Sequence, residues 1–286
     1  MPIDLEKALG ARIPDQEYSW DERDVILYQL SVGAGVPATD PGELEYCYEP
    51  NLKVLPSFGS IPAFGSMMGV AAVDGLDFNL AMLLHGEQET ILSGALPTTG
   101  TVVNRARISD IFDKGKGALV IVEVVSETPD GVELFRNRAS VFLRGEGGFG
   151  GDSGPPAANT APDRSPDDVV ESATLEQQAL LYRLNGDNNP LHADPAFAAL
   201  GGFDRPILHG LCSYGVVCKA AVDSAFAGDV AAVASYSARF AGAVLPGDTI
   251  VTSLWDEGDA IYVAAHSKER ETPVITNGVL RASGQS

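Results

Sequence analysis

The sequence predicts an α+β fold, because helix-like and strand-like segments occur in both halves of the chain. The first half contains three strand-like runs, at residues 101–112, 118–127 and 132–144. The second half contains four further strand-like runs, at residues 232–240, 248–255, 259–267 and 272–281. Apolar residues at helical spacing precede each set, at 20–34 and 206–226. Each half is therefore expected to combine a helix with antiparallel strands.

The elements of the first half have recognisable ends. Asp21 is a suitable helix cap, and Gly33 ends the helix that Asp21 opens. An apolar stretch at residues 63–73 favours a buried helix. Turn-forming residues join the three strands at 114–117 and 128–131. These turns predict consecutive strands that are connected as hairpins.

A segment with few residues that pack, 145–164, divides the chain. It contains many glycines, a Pro155-Pro156 pair and a run of small residues. The glycines resemble a phosphate-binding loop only superficially, because no Gly-Lys-Ser/Thr sequence follows them. We interpret the segment as a linker between an amino-terminal domain, 1–144, and a carboxy-terminal domain, 165–286.

The second half begins with a short predicted strand at residues 169–173 and a helix at 174–184. Thr174 and Gln177 have the spacing of a capping box. The longer helix of this half opens near the pair His209-Gly210. A polar loop is therefore expected between the two helices.

The composition predicts a folded and acidic protein. Of its 286 residues, 45% are hydrophobic and 20% are charged, which is typical of a chain with a packed core. It has 19 basic and 39 acidic side chains, and its formal net charge is −20 at pH 7. This charge disfavours binding to nucleic acid and to anionic membranes, and an anionic ligand would need a local basic patch.

Cysteine usage and the chain ends predict a cytoplasmic location. Cys47, Cys212 and Cys218 form no close metal-type pair and cannot all be paired within the chain, so we expect buried thiols in a reducing compartment. The first residues lack a secretory pattern, and the last lack a peroxisomal Ser-Lys-Leu ending. No apolar run reaches the ~18 to 20 residues of a membrane span.

The loop after residue 182 places a carboxylate and an imidazole five residues apart, at Asp187 and His192. Gly186 permits the left-handed backbone that ends many helices, and Pro190 fixes a bend. Both polar side chains can therefore turn towards one point. A solvated surface turn would also accept Asn, Gly, Asp and Pro, although it does not explain the apolar Leu191 beside His192.

Residues 184–192, Leu-Asn-Gly-Asp-Asn-Asn-Pro-Leu-His, resemble the signature of the hydratase 2 (MaoC-like) enoyl-CoA hydratases. The likeness extends to residues 202–212, Gly-Phe-Asp-Arg-Pro-Ile-Leu-His-Gly-Leu-Cys, and to Ala238-Arg-Phe240. Further segments look like the amino-terminal half of the two-domain subgroup, which includes the hydratase part of the peroxisomal multifunctional enzyme; they are residues 23–28, 48–49, 66–69, 84–88 and 113–115. Asn185 departs from the family's more usual Ser, but this removes no catalytic group.

The resemblance implies a double hot-dog fold, in which two sheets each wrap around a helix and lie side by side, and it suggests a homodimer. It also implies that the chain adds water reversibly to trans-2-enoyl-CoA thioesters in β-oxidation to give (3R)-3-hydroxyacyl-CoA. Coenzyme A would be part of the substrate, and no metal or redox cofactor is implied. The first half lacks a second Asp-x-Asn-Pro-x-His, so we expect one site per chain and room for long, bulky or steroid side-chain acyl groups.

Hydration of an enoyl thioester needs a base for the water that attacks C3, a proton for C2 and a group that stabilises the thioester oxygen. His192 suits the first task because the pKa of histidine lies near neutrality. Asp187 can hold the same water and stabilise charge on His192. Gly210, at a helix start, offers an N–H to the developing oxyanion. Asn189 either orients a polar atom or braces the loop.

Other candidates come from the family's pattern alone. Glu49 and Asn137 match positions that are important for activity in two-domain relatives. Asp194 matches a residue that orients the histidine, and a helix cap before Pro195 is an equal alternative. The candidate substrate-binding residues are His85, Gly86, Lys114, Asn188 and Phe240. Lys114 would bring a cation to a coenzyme A phosphate, with Arg205 and Arg239 as weaker candidates.

Two other functions stay open from the sequence. The nearest is a hot-dog thioesterase that hydrolyses an acyl-CoA. The other is a non-catalytic acyl-CoA-binding subunit. The presence of Asp187, His192 and Gly210 argues against this last function, because binding alone does not require them.

Overall fold

The structure, a computed structural model, describes residues 3–156 and 158–284. The helices are Leu5–Ala8 (α1), Glu22–Ser31 (α2), Pro41–Cys47 (α3), Ser60–Met68 (α4), Gln178–Tyr182 (α5), Pro195–Leu200 (α6) and Gly210–Ala225 (α7). The strands are Arg12–Trp20 (β1), Leu83–Leu92 (β2), Gly100–Asp113 (β3), Gly117–Glu127 (β4), Glu133–Arg144 (β5), Asp168–Ala173 (β6), Val233–Phe240 (β7), Thr249–Asp256 (β8), Ala260–Ser267 (β9) and Pro273–Ala282 (β10). None of these described helices is both long and apolar enough to cross a membrane. The prediction about targeting signals also involves residues 1–2 and 285–286, which lie outside the described residues.

The described strands form one antiparallel sheet in the order β1-β3-β4-β5-β2-β7-β10-β9-β8-β6. The two halves of the chain meet where β2 pairs with β7, with Glu87 opposite Arg239 and Ile91 opposite Ser235. The strands of the first half lie on one side of this pairing, and those of the second half lie on the other. The predicted α+β class is confirmed.

The core lies between the sheet and the helices on its inner face. α4 packs against β1, β3 and β4, and α7 packs against β6 to β10. The inward side chains of the strands are apolar, as in β4, where Val120, Val122 and Val124 are fully buried. Burial of one such side chain contributes about 1.5–3 kcal/mol. Each half therefore wraps its strands around a helix.

The eight predicted strands are present, with ends shifted by a few residues, but β1 and β2 were not expected. In β2 the inward positions are occupied by the polar residues Gln88 and Thr90. Their side chains donate to Asn137 Oδ1 at 2.8 and 3.0 Å. β1 is an edge strand with Pro14 near its start and mostly exposed side chains. Neither strand has the apolar alternation that reveals a half-buried strand.

The capping box predicted at Thr174 is wrong. Its hydroxyl donates to the carbonyl of Asp248 at 2.7 Å and accepts from Gly247 N at 3.0 Å. Thr174 therefore joins its segment to the start of β8, and α5 begins only at Gln178. The side-chain oxygen of Gln178 accepts from Leu175 N at 2.9 Å instead. A tertiary contact has taken the hydroxyl that a local cap would use.

The predicted linker, 145–164, has no helix or strand among its described residues and lies along the outer face of the sheet. Asp113 accepts a hydrogen bond from Gly150 N at 2.8 Å. Further along, Asn277 Nδ2 donates to the carbonyl of Ala158 at 2.6 Å. These contacts tie the segment to strands of both halves. The domain boundaries on either side of it stay a prediction.

The cysteines are unpaired, as expected. Cys212 and Cys218 are fully buried in α7, and Cys47 is half-buried at the end of α3. Burial raises the pKa of Cys47 to about 11 and that of Cys218 to about 12. Thiols with a raised pKa are poor nucleophiles, so these side chains serve packing.

α2 of the first half packs closely on α7 of the second half. Gly215 permits this approach, because a Cβ there would lie 2.5 Å from Val32 Cγ1 and 2.7 Å from Tyr28 Oη. The carbonyl of Ser31, at the end of α2, accepts from Gln178 Nε2 at 2.5 Å. The end of α2 thus contacts both α5, which precedes the polar loop, and α7.

Gly215→Ala is expected to destabilise the protein, even though alanine favours a helix by roughly 1 kcal/mol. The added methyl group forces α2 away from α7, and overpacking of a core costs about 1–3 kcal/mol. Val32→Ala restores part of the space. In a double-mutant cycle measured by urea unfolding, the two substitutions together should therefore cost less than the sum of their separate costs. A stabilised Gly215→Ala, or an additive cycle, would contradict the close approach.

Candidate active site

The polar loop between α5 and α6 is held by local and tertiary hydrogen bonds. Gly186 has a φ of 116°, a conformation that glycine adopts without strain. Asn185 Nδ2 donates to the carbonyl of Tyr182 at 2.8 Å and to Ser31 Oγ at 2.9 Å. Asn185, the departure from the family pattern, therefore links the loop to α2.

Asp187 and Asn189 shape the loop through their own side chains. Asp187 Oδ1 accepts from Asn189 N at 3.1 Å. Asn189 Oδ1 accepts from Leu191 N at 3.0 Å and so caps the short 3₁₀ turn Pro190–His192. Of the two expectations for Asn189, the geometry matches a brace of the loop.

The His192 ring is 8% exposed, and one of its nitrogens is committed. Nδ1 lies 2.9 Å from the carbonyl of Ile207, and because a carbonyl can only accept, Nδ1 carries the proton. In the neutral ring Nε2 then keeps its lone pair. Burial lowers the pKa of His192, while the Ile207 carbonyl and the Asp187 charge oppose this shift. His192 is therefore a neutral base at physiological pH.

Asp187 and His192 converge as the sequence predicts, and His209 joins them. A carboxylate oxygen of Asp187 and one nitrogen from each ring lie within 4.8 Å of one another. The rings of His192 and His209 are stacked, with centroids 3.8 Å apart. A single water molecule can bridge groups at this separation by hydrogen bonds to both. The loop thus brings a carboxylate and an imidazole within reach of one water molecule.

Gly210 is the first residue of α7 and follows His209, the residue in contact with the base. The first N–H groups of a helix have no intrahelical acceptor, and they carry the positive end of the helix dipole. A Cβ at Gly210 would lie 3.3 Å from the ring of Phe240. Glycine therefore fits closely against Phe240 at the position where the helix offers a free N–H.

Phe240 and His85 extend this wall from the second half into the first. Their ring centroids are 4.9 Å apart in an edge contact. His85 Nε2 is buried and has no hydrogen-bond partner among the described residues, and burial lowers the pKa of His85 to about 4. Gly86 lies at the irregular step of the β2–β5 register, where a Cβ would be 3.3 Å from the carbonyl of Ser140. Three predicted substrate-binding residues therefore lie together near Gly210.

Lys114 is not brought to the loop. Its ammonium group donates to the carbonyl of Ser153 and lies 5.7 Å from the centroid of the Phe112 ring. It lines a cavity of about 490 Å³ on the outer face of the sheet. β4 and β5 separate β3 from β2, and each step between strands is about 4.8 Å. Asn188, at the loop tip, is exposed.

Asn137 and Asp194 make structural hydrogen bonds. Asn137 is fully buried in β5, and its Nδ2 donates to the carbonyl of Gly59 at 2.9 Å while Oδ1 accepts from β2. Asp194 caps α6 by accepting from Ala196 N at 2.8 Å. The carbonyl of Ile207 orients His192 instead. The capping alternative for Asp194 is therefore the one that the structure shows.

Glu49 lies far from the loop. It follows α3 and is exposed. α3 contacts the last turns of α7, where Tyr46 Oη donates to Asp223 at 2.6 Å. Asp223 is thirteen residues beyond Gly210 on a straight helix, a rise of about 20 Å. A direct role for Glu49 in the chemistry does not fit this position.

A second cavity, of about 530 Å³, opens beside His192. Arg205 lines it, together with acidic and small residues of the α5 and β8 ends. Arg239, the other weak candidate for a phosphate, is paired with Glu87 at 2.6 Å on the outer face. Arg205 is thus the candidate cation that shares a cavity with the base.

The cluster of Asp187, His192 and His209 has the composition of a metal site but not the geometry of one. Metal ions bind in the plane of an imidazole ring, along the nitrogen lone pair. The two rings here are stacked with an angle of 28° between their planes. Their lone pairs lie in nearly parallel planes and do not meet at a common point. The donor set therefore fits a water between acid and base better than an ion.

The position of His209 beside the base and the part of the Ile207 carbonyl were not predicted from the sequence, which indicated only a packing or hydrogen-bonding role for His209. Both lie in the segment just before α7, 15 and 17 residues after His192. The pair His209-Gly210 was the available signal for the histidine. A carbonyl leaves no signal in a sequence, because every residue carries one.

Family models cover both halves of the chain. Residues 18–145 match the model described as the MFE-2 hydratase 2 N-terminal domain. Residues 157–278 match the model described as a MaoC like domain. These two matches correspond to the halves that meet at the β2–β7 pairing.

Two curated relatives match over almost their whole length. The chain is 46% identical over 281 residues to enoyl-CoA hydratase ChsH3 of Mycobacterium tuberculosis, with 98% of each chain covered. It is 40% identical over 287 residues to the peroxisomal enoyl-CoA hydratase 2 of Arabidopsis thaliana, with 95% of this chain and 93% of that protein covered.

Solved structures match in fold. A MaoC-like dehydratase from Phytophthora capsici superposes with a TM-score of 0.89 at 31% identity, with 98% of each chain covered. A conserved hypothetical protein of Mycobacterium tuberculosis with a double hotdog fold superposes with a TM-score of 0.61 at 12% identity, covering 97% of this chain and 96% of that one. The predicted double hot-dog fold is confirmed. On these matches, the chain belongs to the MaoC-like hydratase 2 family of enoyl-CoA hydratases, in its two-domain form.

Proposed function

We propose that the protein is a (3R)-specific 2-enoyl-CoA hydratase that acts in β-oxidation. The observation that carries the proposal is the approach of the Asp187 carboxylate to the ring of His192, whose neutral form keeps its lone pair on Nε2, next to the first amide of α7. Family membership and relatives named enoyl-CoA hydratases support the same reaction. The substrate is an acyl-CoA thioester.

The reaction begins with a water molecule held between Asp187 and His192. Nε2 of His192 takes a proton from this water as its oxygen forms a bond to C3 of the substrate. The ring becomes a cation for a short time, and the Asp187 charge stabilises it. The bond from Nδ1 to the carbonyl of Ile207 keeps Nε2 directed at the water throughout.

The electron pair of the C2–C3 double bond moves towards the thioester, whose oxygen becomes enolate-like. The N–H of Gly210 and the dipole of α7 stabilise this oxygen. C2 then receives the proton that the Asp187–His192 pair took from water. One hydroxyl and one hydrogen have been added, and both side chains have returned to their starting states.

This chemistry uses only an acid, a base and an oxyanion donor, so we propose that no metal or redox cofactor takes part. Coenzyme A enters as part of the substrate. The stacked arrangement of His192 and His209 supports the proposal, because it does not suit an ion. A chelator is therefore expected to leave turnover unchanged.

We propose that the acyl group is long or bulky, with steroid side chains among the candidates. The first half has no second Asp-x-Asn-Pro-x-His, so its sheet and inner helix carry no catalytic loop and can accommodate an acyl chain. His85 and Phe240 mark where the first half meets the reacting centre.

A homodimer and a cytoplasmic location also stay proposals. The family resemblance suggests the dimer. The unpaired cysteines support the location, because free thiols are usual in a reducing compartment. Light scattering and cell fractionation measure the two properties directly.

The reaction is tested with a panel of straight-chain, branched and steroidal trans-2-enoyl-CoAs. We expect loss of the enoyl absorbance without release of free thiol, a (3R) product on chiral analysis, and the same rate after dialysis against EDTA. Thiol release in step with the absorbance change would instead show a thioesterase. Tight binding without turnover of any panel member would show a binding subunit.

Asp187→Asn and His192→Ala are each expected to lower kcat by about 10²- to 10⁴-fold, the usual contribution of a general acid or base. The Asn oxygen can still accept from Asn189 N, so the loop keeps its turn in Asp187→Asn. His266→Ala, which removes an exposed histidine of β9, is the control and should leave kcat unchanged. Near-normal rates in either active-site variant would contradict the assignment.

Activity should fall on the acid side of the pH profile. The midpoint of this fall, the acid limb, should lie below the usual histidine pKa of about 6.5. The base must be neutral, and burial lowers the pKa of His192, so activity holds until the pH falls through that lowered value. The Asp187 charge raises the pKa of His192, so the residual activity of Asp187→Asn should have its acid limb at still lower pH. A limb that moves upwards in this variant would contradict the arrangement.

A further inference from the structure

We infer that His209 is a positioning residue for the proposed hydratase reaction, because it contacts the base, the backbone of the acid and the helix start that carries the oxyanion donor. This inference rests on the proposed function and adds to it. His209 is the residue just before Gly210 and is 1% exposed. Its side chain makes no cap to α7, so its hydrogen-bonding capacity is directed elsewhere.

The contact with the acid is a hydrogen bond to the loop backbone. His209 Nε2 lies 3.2 Å from the carbonyl oxygen of Asp187, and a carbonyl can only accept. Nε2 therefore carries the proton, and Nδ1 holds a lone pair. This bond ties the middle of the polar loop to the start of α7. It thereby sets the distance between the Asp187 side chain and the amide of Gly210.

The contact with the base is a stacked ring. The ring centroids of His192 and His209 are 3.8 Å apart, and those of Tyr182 and His209 are 4.9 Å apart. His192 is thus held at one edge by Ile207 and on one face by His209. A ring that is fixed in this way can turn its Nε2 in only one direction. Orientation of a base within the site contributes directly to rate.

His209 can play this part only while it is neutral. Burial and the neighbouring His192 lower the pKa of His209 to about 3. A cation here would repel the imidazolium that forms on His192 during turnover. Nδ1 is buried without a hydrogen-bond partner among the described residues, an arrangement that costs stability. A residue selected only for packing would not need this buried nitrogen.

His209 also keeps water away from the covered face of His192. The titratable and charged groups around His192 are Asp187, His209 and, in the cavity beside it, Glu176, Arg205 and Asp248. Only the stacked ring of His209 shields His192 without adding charge. Loss of the ring should therefore hydrate His192 and raise its pKa towards the usual value.

The test compares His209→Phe, which keeps a ring but loses the N–H, with His209→Gln, which keeps an N–H donor but loses the ring. We expect each to lower kcat by roughly 10- to 100-fold, with little change in KM. The acid limb should move to higher pH in His209→Gln and stay in place in His209→Phe. Tyr182→Phe is the matched control: it keeps the ring beside His209 and removes a buried hydroxyl that has no partner among the described residues, so kcat and the limb should not change.

Rates are expressed per folded enzyme, with folding followed by circular dichroism, so that a loss of stability is separated from a loss of turnover. If both variants keep the wild-type kcat per folded enzyme and the wild-type acid limb, His209 only packs and the inference is overturned. The wild-type enzyme is assayed in parallel. Its failure to hydrate any enoyl-CoA would overturn the proposed function instead.

Discussion

The hydrogen bond from His192 Nδ1 to the carbonyl of Ile207 is the contact on which the site depends. It decides which nitrogen of a buried ring keeps its lone pair, and so which edge of the ring can act as a base. The Asp187 carboxylate lies within 4.8 Å of a ring nitrogen of His192, and the first amide of α7 begins three residues after Ile207. Residues 207–210, at the start of α7, therefore supply the carbonyl that orients the base, the ring stacked on it and the oxyanion donor.

The first half contributes support to this site. α2 approaches α7 closely at Gly215, and its last residue, Ser31, holds both Gln178 and Asn185. The polar loop is therefore braced from outside its own half of the chain. Such bracing lets a loop rich in Asn, Gly and Pro keep one geometry. It also explains how Asn185 serves in place of the more usual Ser.

The strand pattern and the polar loop were readable in the sequence because both are local. A strand buried on one face shows alternation, as in β3, where buried Ala106 lies between exposed Arg105 and Arg107, and a turn shows its Gly and Pro residues. β2 was not predicted because its inward residues Gln88 and Thr90 are polar. They bond to Asn137, which is 47 or more positions away in the chain. The capping box predicted at Thr174 was wrong for the same reason, because its hydroxyl donates to the carbonyl of Asp248, just before β8.

The sequence by itself determined the α+β class, the loop with Asp187 and His192, and the glycine at the start of α7, because each depends on neighbouring residues or on a short motif. Only the tertiary structure decided that His209 and Ile207 hold the base, that Asp194 caps a helix, and that Glu49 and Lys114 lie away from the loop. These facts depend on which distant segments the sheet and α7 bring together. Hydrogen bonds to backbone carbonyls then set the proton positions, and burial set the neutral state of the rings; both are properties of the packed molecule.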